Sequence, residues 1–200
     1  MQLYTFHRSP NCRKVLLLLR HLDVEVDFVE VNLDSGAQFA PEYLALNPNG
    51  RVPTLVDGDF VLWESGAILT HLAERHWPEG LGRPGRGRSE VARWMFFEAS
   101  GIAPYAKLVA LHTVLLPEPL RRPDAAEAAR WELDRRLVVL DRQLSDREFV
   151  AGELSVADFA LGAMVGAIAD GGAMPEEQHG IRSWLERLAA LPAWRYTVHI

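Results

Sequence analysis

The stretch Gln2-Leu-Tyr-Thr-Phe-His-Arg-Ser-Pro-Asn-Cys-Arg-Lys-Val-Leu-Leu-Leu-Leu-Arg20 decides the fold. Gln2 to Phe6 reads as a short strand. Pro10 to His21 reads as a helix, and its leucines at 16 to 19 and 22 leave almost no polar face, so it must pack deeply. Between the two, Ser9 before Pro10 marks a helix start: proline is favoured at the first helical position, and a serine oxygen accepts from an orphan backbone N–H. A helix N-terminus carries partial positive charge and favours a thiolate or another anion beside it. Whatever binds at this edge is expected to be negative in its reactive form.

Working outward, Val24 to Val31 alternates apolar and acidic residues and predicts a second strand. Strand, helix and strand in succession imply a right-handed parallel unit. Gln38 to Leu46 reads as a short helix or irregular loop that ends at the turn-rich Asn47-Pro-Asn-Gly50. Thr54-Leu-Val56 and Phe60-Val-Leu-Trp63 flank Asp57-Gly58, a pair favoured where both central positions of a tight hairpin need φ > 0. A helix follows from Ser65 to about His76. This order, β-α-β, connecting helix, β-hairpin and helix, is the thioredoxin-like plan. Residues 78–87, dense in Gly and Pro, read as a linker. Beyond it no strand is predicted, and helices are expected at about 89–115, 124–145, 155–169 and 179–190. The fold class is therefore an α/β thioredoxin-like N-terminal domain over 1–77 followed by an all-α helical-bundle domain over 88–200.

Composition narrows the function. The 200 residues are 48% hydrophobic and 24% charged, in the range of globular proteins rather than disordered or collagen-like ones. The longest uncharged apolar run, residues 159–169, is too short to span a membrane, and residues 1–20 lack the order of a signal peptide, so a cytoplasmic protein without a membrane partner is expected. A net charge of −6 argues against nucleic acid as the partner. Most of that charge lies in residues 1–80, with six basic against eleven acidic side chains. The lone Cys12 can form no internal disulfide. His7, His71, His76, His112, His179 and His199 show no metal-ligand spacing, so no metal is expected.

The chain resembles the glutathione transferases. Ser9-Pro-Asn-Cys-Arg-Lys-Val15, Asn47-Pro-Asn-Gly-Arg-Val-Pro53, Glu64-Ser-Gly-Ala-Ile68 and Ser155-Val-Ala-Asp158 carry the resemblance, in order and over essentially the full length. It is similar to the serine or asparagine type, theta-like or bacterial nu-like. It departs from the tyrosine type, because Tyr4 lies within the strand while Ser9 and Asn11 occupy the turn, and it has no cysteine at the catalytic turn position.

The resemblance implies glutathione as co-substrate, and each position has a physical rationale. Ser9 Oγ–H and Asn11 Nδ2–H each suit donation to the sulfur anion of a thiol whose ordinary pKa is about 8.5. A hydrogen bond to a charged group contributes about 1.5 to 3 kcal/mol, enough to lower that pKa by about one or two units. In the family Pro53 is cis, which presents the Val52 N–H and C=O to the cysteinyl backbone as an added strand would. Ser65 suits the γ-glutamyl carboxylate and Glu64 its ammonium. Arg51 and Gln38 are candidates for the glycyl carboxylate. Trp94, Phe97, Ala103, Tyr105 and Leu108 are candidates to line an apolar pocket for the second substrate. Set against a Cys-x-x-Cys pair, Ser9-Pro-Asn-Cys12 keeps only the second cysteine, which reads as a buried small hydrophobe. Ser155-x-x-Asp158 has the form of a capping box and is assigned to structure.

The expected activity is thus attack of an activated glutathione thiol on a small hydrophobic electrophile, by a homodimer. The alternatives are glutathione-dependent disulfide or peroxide reduction, or a non-catalytic glutathione-binding module.

Overall fold

A computed structural model describes residues 1–175 and 177–195; His199 of the histidines named above lies outside them. Four strands, β1 (Gln2–Thr5), β2 (Asp27–Glu30), β3 (Thr54–Asp57) and β4 (Phe60–Trp63), form one sheet in the order β2-β1-β3-β4. β1 and β2 run parallel, whereas β1–β3 and β3–β4 are antiparallel. Helices α1 (Pro10–His21), α2 (Pro41–Leu46) and α3 (Ser65–His76) complete this half. The thioredoxin-like plan is the one observed.

Two local expectations are corrected. The second strand is confined to Asp27–Glu30, because the Val24 N–H is still bonded to the Leu19 carbonyl and so belongs to the exit of α1. In the hairpin Asp57 pairs with Phe60, so the two-residue loop is Gly58-Asp59 rather than Asp57-Gly58. Only Gly58 of that loop has a positive φ, 66°. Glycine at the first central position alone suits a type II′ turn.

The rest of the chain is helical. α4 (Arg86–Phe97) starts inside the stretch read as linker and continues through a π-helical turn, Glu98–Ile102, into α5 (Ala103–Ala110) and a second π-helical turn, Leu111–Leu115. The single helix expected over 89–115 is therefore interrupted. Pro104 explains the first interruption: without an N–H it cannot bond back to the preceding turn, and the ladder widens there. α6 (Pro123–Ser145), α7 (Val156–Asp170) and α8 (His179–Ala190) follow.

The core is continuous across both halves. Leu3, Leu17, Leu18, Leu55, Ile68 and Leu72 share one buried cluster with Phe159, Leu161, Val165 and Trp184. α7 is apolar on all sides and is buried from Val156 to Val165, as such a helix must be. It packs against α1, so the first helix is enclosed by the sheet and α3 on one side and by the helical half on the other. Arg13 and Asp170 pair across the α1–α7 contact at 3.3 Å.

Asp158 holds the start of α7. Its carboxylate is fully buried and accepts from Val150 N–H (2.9 Å), Trp184 Nε1–H (3.0 Å), Ser155 N–H (3.0 Å) and Ser155 Oγ–H (3.0 Å). The capping box read from the sequence is thus also a tie from α7 to α8. Burial raises its pKa from 3.8 to about 6 against the pull of those four donors.

Replacing Asp158 with Ala strands four buried donors and should cost about 3 kcal/mol or more in urea unfolding. The folded pKa lies above the unfolded one, so the folded state holds this proton as pH falls through about 6 toward about 4. Relative to Asp158→Asn, the wild-type chain should gain about 1 kcal/mol between pH 7 and pH 5, read from urea midpoints at the two pH values.

Candidate functional site

Two helix N-termini and one loop edge converge beside the first strand. The first N-terminus belongs to α1. Ser9 caps it with extended φ and ψ of −84° and 118°, and its Oγ accepts from the Cys12 N–H at 3.4 Å. Pro10 occupies the first turn, which holds no acidic residue, so nothing on the helix offsets the partial positive charge of its end. Ser9 and Asn11 are both half-buried. Accepting from Cys12 leaves the Ser9 hydroxyl proton available as a donor.

Cys12 faces the other way. It has no exposed surface, receives the Phe6 N–H at 3.4 Å and packs among Phe6, Val31, Tyr43 and Val52. Burial pushes its thiol up from the ordinary range, the opposite of what a nucleophilic cysteine needs.

The loop edge is set by a buried polar lock. Asn47 is 1% exposed. Its Nδ2 donates to the Arg51 carbonyl (2.7 Å) and to Thr54 Oγ1 (3.0 Å), and its Oδ1 accepts from the Asn49 N–H (3.0 Å). The Tyr43 hydroxyl donates to the same Arg51 carbonyl at 2.5 Å and lies 2.9 Å from Thr54 Oγ1. The Val52–Pro53 peptide held in this frame is cis. Among the described residues neither the Val52 N–H nor its C=O has a hydrogen-bond partner, so both are open to an added strand. Gly50, with φ of 60°, brings the loop against Phe39 and the Gln38 carbonyl, which places Gln38 beside Arg51. The Gln38 Oε1 is buried without a partner.

The second N-terminus belongs to α3. Glu64 precedes it at φ 74°, ψ 114° without capping the helix by its side chain, and no acidic residue lies in the first turn. The first N–H groups of α3, with the nearly buried Ser65 among them, are therefore ready for an anion. Asn49 Nδ2 donates to Glu64 Oε1 at 3.3 Å and ties the carboxylate to the loop edge.

Sequence reasoning missed several groups. Asn47 and Tyr43 build the lock, and Asn49 orients Glu64. Lys107, from α5, lies within electrostatic reach of Arg51: burial first, and then that guanidinium, push its ammonium pKa down. Lys14 is 2% exposed and pairs with Glu98 at 2.8 Å. A lysine on the apolar stripe of α1 was the signal available for that last pair.

The proposed second-substrate residues separate. Trp94 is 4% exposed and packs edge-on against Phe97, with ring centroids 5.2 Å apart, so it serves the core and offers little surface to a cleft. Phe97 and Tyr105 are half-buried, and Leu108 is exposed. Arg136 stacks over the Tyr105 ring at 4.3 Å and holds its hydroxyl at 3.4 Å. A concavity lined by Met1, Leu19, Arg20 and Phe28 lies at the far end of α1 from Ser9 and does not serve this site. Among the described residues no group of three or more His, Cys, Asp or Glu is placed to hold a metal ion.

Because Cys12 is enclosed, an aromatic disulfide reagent should leave it unmodified in the folded protein and react once urea unfolds the chain. Cys12→Ala should keep activity within about twofold while costing about 1 to 2 kcal/mol of stability.

The chain has relatives among known proteins. Residues 1–74 match the family model for the glutathione S-transferase N-terminal domain. Glutathione S-transferase F10 of Arabidopsis thaliana is 32% identical, covering 92% of this chain and 90% of the relative. The disulfide-bond oxidoreductase YfcG of Escherichia coli is 31% identical, covering 94% and 90%. The theta-class glutathione S-transferase of Xanthomonas axonopodis pv. citri, solved with glutathione bound, superposes with a TM-score of 0.91 at 30% identity, covering 100% of this chain and 97% of that one. The chain belongs to the glutathione S-transferase family.

Proposed function

We propose that the protein is a glutathione transferase that activates the glutathione thiol at the N-terminus of α1. The observation that carries this reading is the convergence of two helix N-termini and one unpaired loop edge beside the first strand. These are the α1 terminus at Ser9, the free N–H and C=O of Val52 beside the cis Pro53, and the uncapped α3 terminus at Ser65. A tripeptide thiol with a carboxylate at each end is the ligand such edges complement. Its sulfur meets Ser9 and Asn11, its cysteinyl backbone pairs with Val52, and its γ-glutamyl carboxylate takes the α3 terminus while Glu64 accepts from the ammonium. Arg51 and Gln38, with Lys107 across from them, receive the glycyl carboxylate.

The chemistry follows from charge. The thiolate, not the thiol, is the nucleophile. Ser9 Oγ–H, Asn11 Nδ2–H and the helix terminus all favour the anion, so the bound thiol ionises nearer neutral pH. The thiolate then attacks an apolar electrophile held against Phe97, Tyr105 and Leu108, by addition or by displacement of a leaving group. Detoxification in the cytoplasm is the corresponding role. Reduction of disulfides by glutathione is the second reading, favoured by the 31% identity to YfcG. Turnover of a model disulfide with none of a chloro-nitroaromatic would select it. Tight glutathione binding without turnover of either would select a binding module.

Homodimerisation belongs to the same proposal, and large apolar side chains left on the surface, Phe39 and Phe96 among them, support it. Sedimentation should give about twice the 22.4 kDa chain mass.

Ser9→Ala is expected to move the kinetic pKa of the thiol up by about one to two units and to lower kcat about 10- to 100-fold near pH 6.5. An unchanged pH–rate profile would remove Ser9 from the mechanism.

A further inference from the structure

Lys14 and Glu98 form a buried ion pair that thiol activation does not use. Lys14 lies on α1 three residues after Asn11. Glu98 opens the π-helical turn after α4, a feature often found at functional sites. Their side chains are 2% and 5% exposed, with Nζ and Oε1 2.8 Å apart. Burial pushes the ammonium pKa down and the carboxyl pKa up, and their mutual attraction opposes both shifts. Each side chain is thus enclosed against the other, and removing either leaves a buried polar group without its partner.

A third charged residue, Glu64, lies within electrostatic reach of the pair. α1 packs against α3, whose entry residue is Glu64, and Gly66 of α3 approaches Met95 of α4. The Glu64 charge acts on both Lys14 and Glu98. Among the described residues no cation lies within ion-pair distance of Glu64, whose side-chain contact is with Asn49. Arg13, the neighbouring cation on α1, is engaged with Asp170. Of the carboxylates within electrostatic reach of the Lys14 ammonium, Glu98 holds it and Glu64, bonded to Asn49, is without a cation among the described residues.

We propose that Glu98 is a positioning residue for glutathione: by holding the Lys14 ammonium it leaves Glu64 free to take the ammonium of the γ-glutamyl arm. This rests on the assignment of Glu64 to that ammonium above. A buried ammonium without a partner is costly, and lysine carries a mobile point charge on a flexible stem. With the Glu98 carboxylate gone, Lys14 turns to Glu64 and competes with the ligand for the same oxygens.

The test compares glutathione with its deaminated analogue glutaryl-cysteinyl-glycine, which lacks that ammonium, by titration calorimetry well below the unfolding temperature. Wild type should bind glutathione about tenfold more tightly than the analogue. Glu98→Gln should lose this preference by weakening glutathione about tenfold while leaving the analogue unchanged. A merely structural loss would weaken both. The double variant Lys14→Met/Glu98→Leu, which has no buried ammonium, should regain the preference. If Glu98→Gln does not fold, Glu98→Asp takes its place, and a reduced preference is expected as the carboxylate retracts by one methylene. Full preference in the single variant, or none in the double, overturns the proposal. Absence of any preference in wild type overturns the Glu64 assignment itself.

Discussion

Helix α1 is enclosed along its length, and one open end is what remains for chemistry. Leu16, Leu17, Leu18 and Leu19 are buried together with Val15, and full burial of a leucine contributes about 1.5 to 3 kcal/mol. α3 packs on one side and α7 on the other, and Leu3 and Leu55 of the sheet share the buried cluster of α1. A helix fixed in this way presents its first turn as a rigid dipole that does not reorganise when charge develops beside it. Ser9 and Asn11 add polar groups to a terminus the core already holds in place.

The rest of the site repeats the principle with different backbone. The Tyr43–Asn47–Thr54 lock consumes the Arg51 carbonyl, while the Val52 N–H and C=O have no partner among the described residues. α3 begins without a side-chain cap. In both places a buried scaffold satisfies the neighbouring polar groups and leaves a few open, the ones proposed to receive the backbone and carboxylates of glutathione. The helical half takes part through the same contacts. Glu98 reaches Lys14 beneath the site, Lys107 approaches Arg51 at its rim, and the α5 surface with Tyr105 and Leu108 lies in the same half.

Much of this was legible in the sequence because it is local. The Ser9-Pro10 start and the extent of α1 follow from capping and periodicity, and the Asp57–Phe60 hairpin from its turn residues, although the loop sits one residue later than the Asp-Gly pair suggests. The sequence pattern after the linker shows no break within 89–115, since a single proline within an apolar pattern does not announce a π-helical turn. Trp94 fits a pocket residue by sequence alone, because an aromatic on an amphipathic helix gives no sign of which neighbour covers it. Non-local pairs were beyond sequence reasoning. Nothing links Lys14 to Glu98 across 84 positions, and Asn47 looks like any other asparagine in a turn until its side chain is found buried against Thr54.

Thiolate stabilisation by the α1 terminus is the central physical claim. It is tested most directly by following the ultraviolet absorbance of the glutathione thiolate in its binary complex with the wild-type protein as pH is varied. A terminus that acts as described gives an apparent pKa about one to two units below the ordinary value of about 8.5. A bound thiol that ionises at the same pH as free glutathione contradicts it.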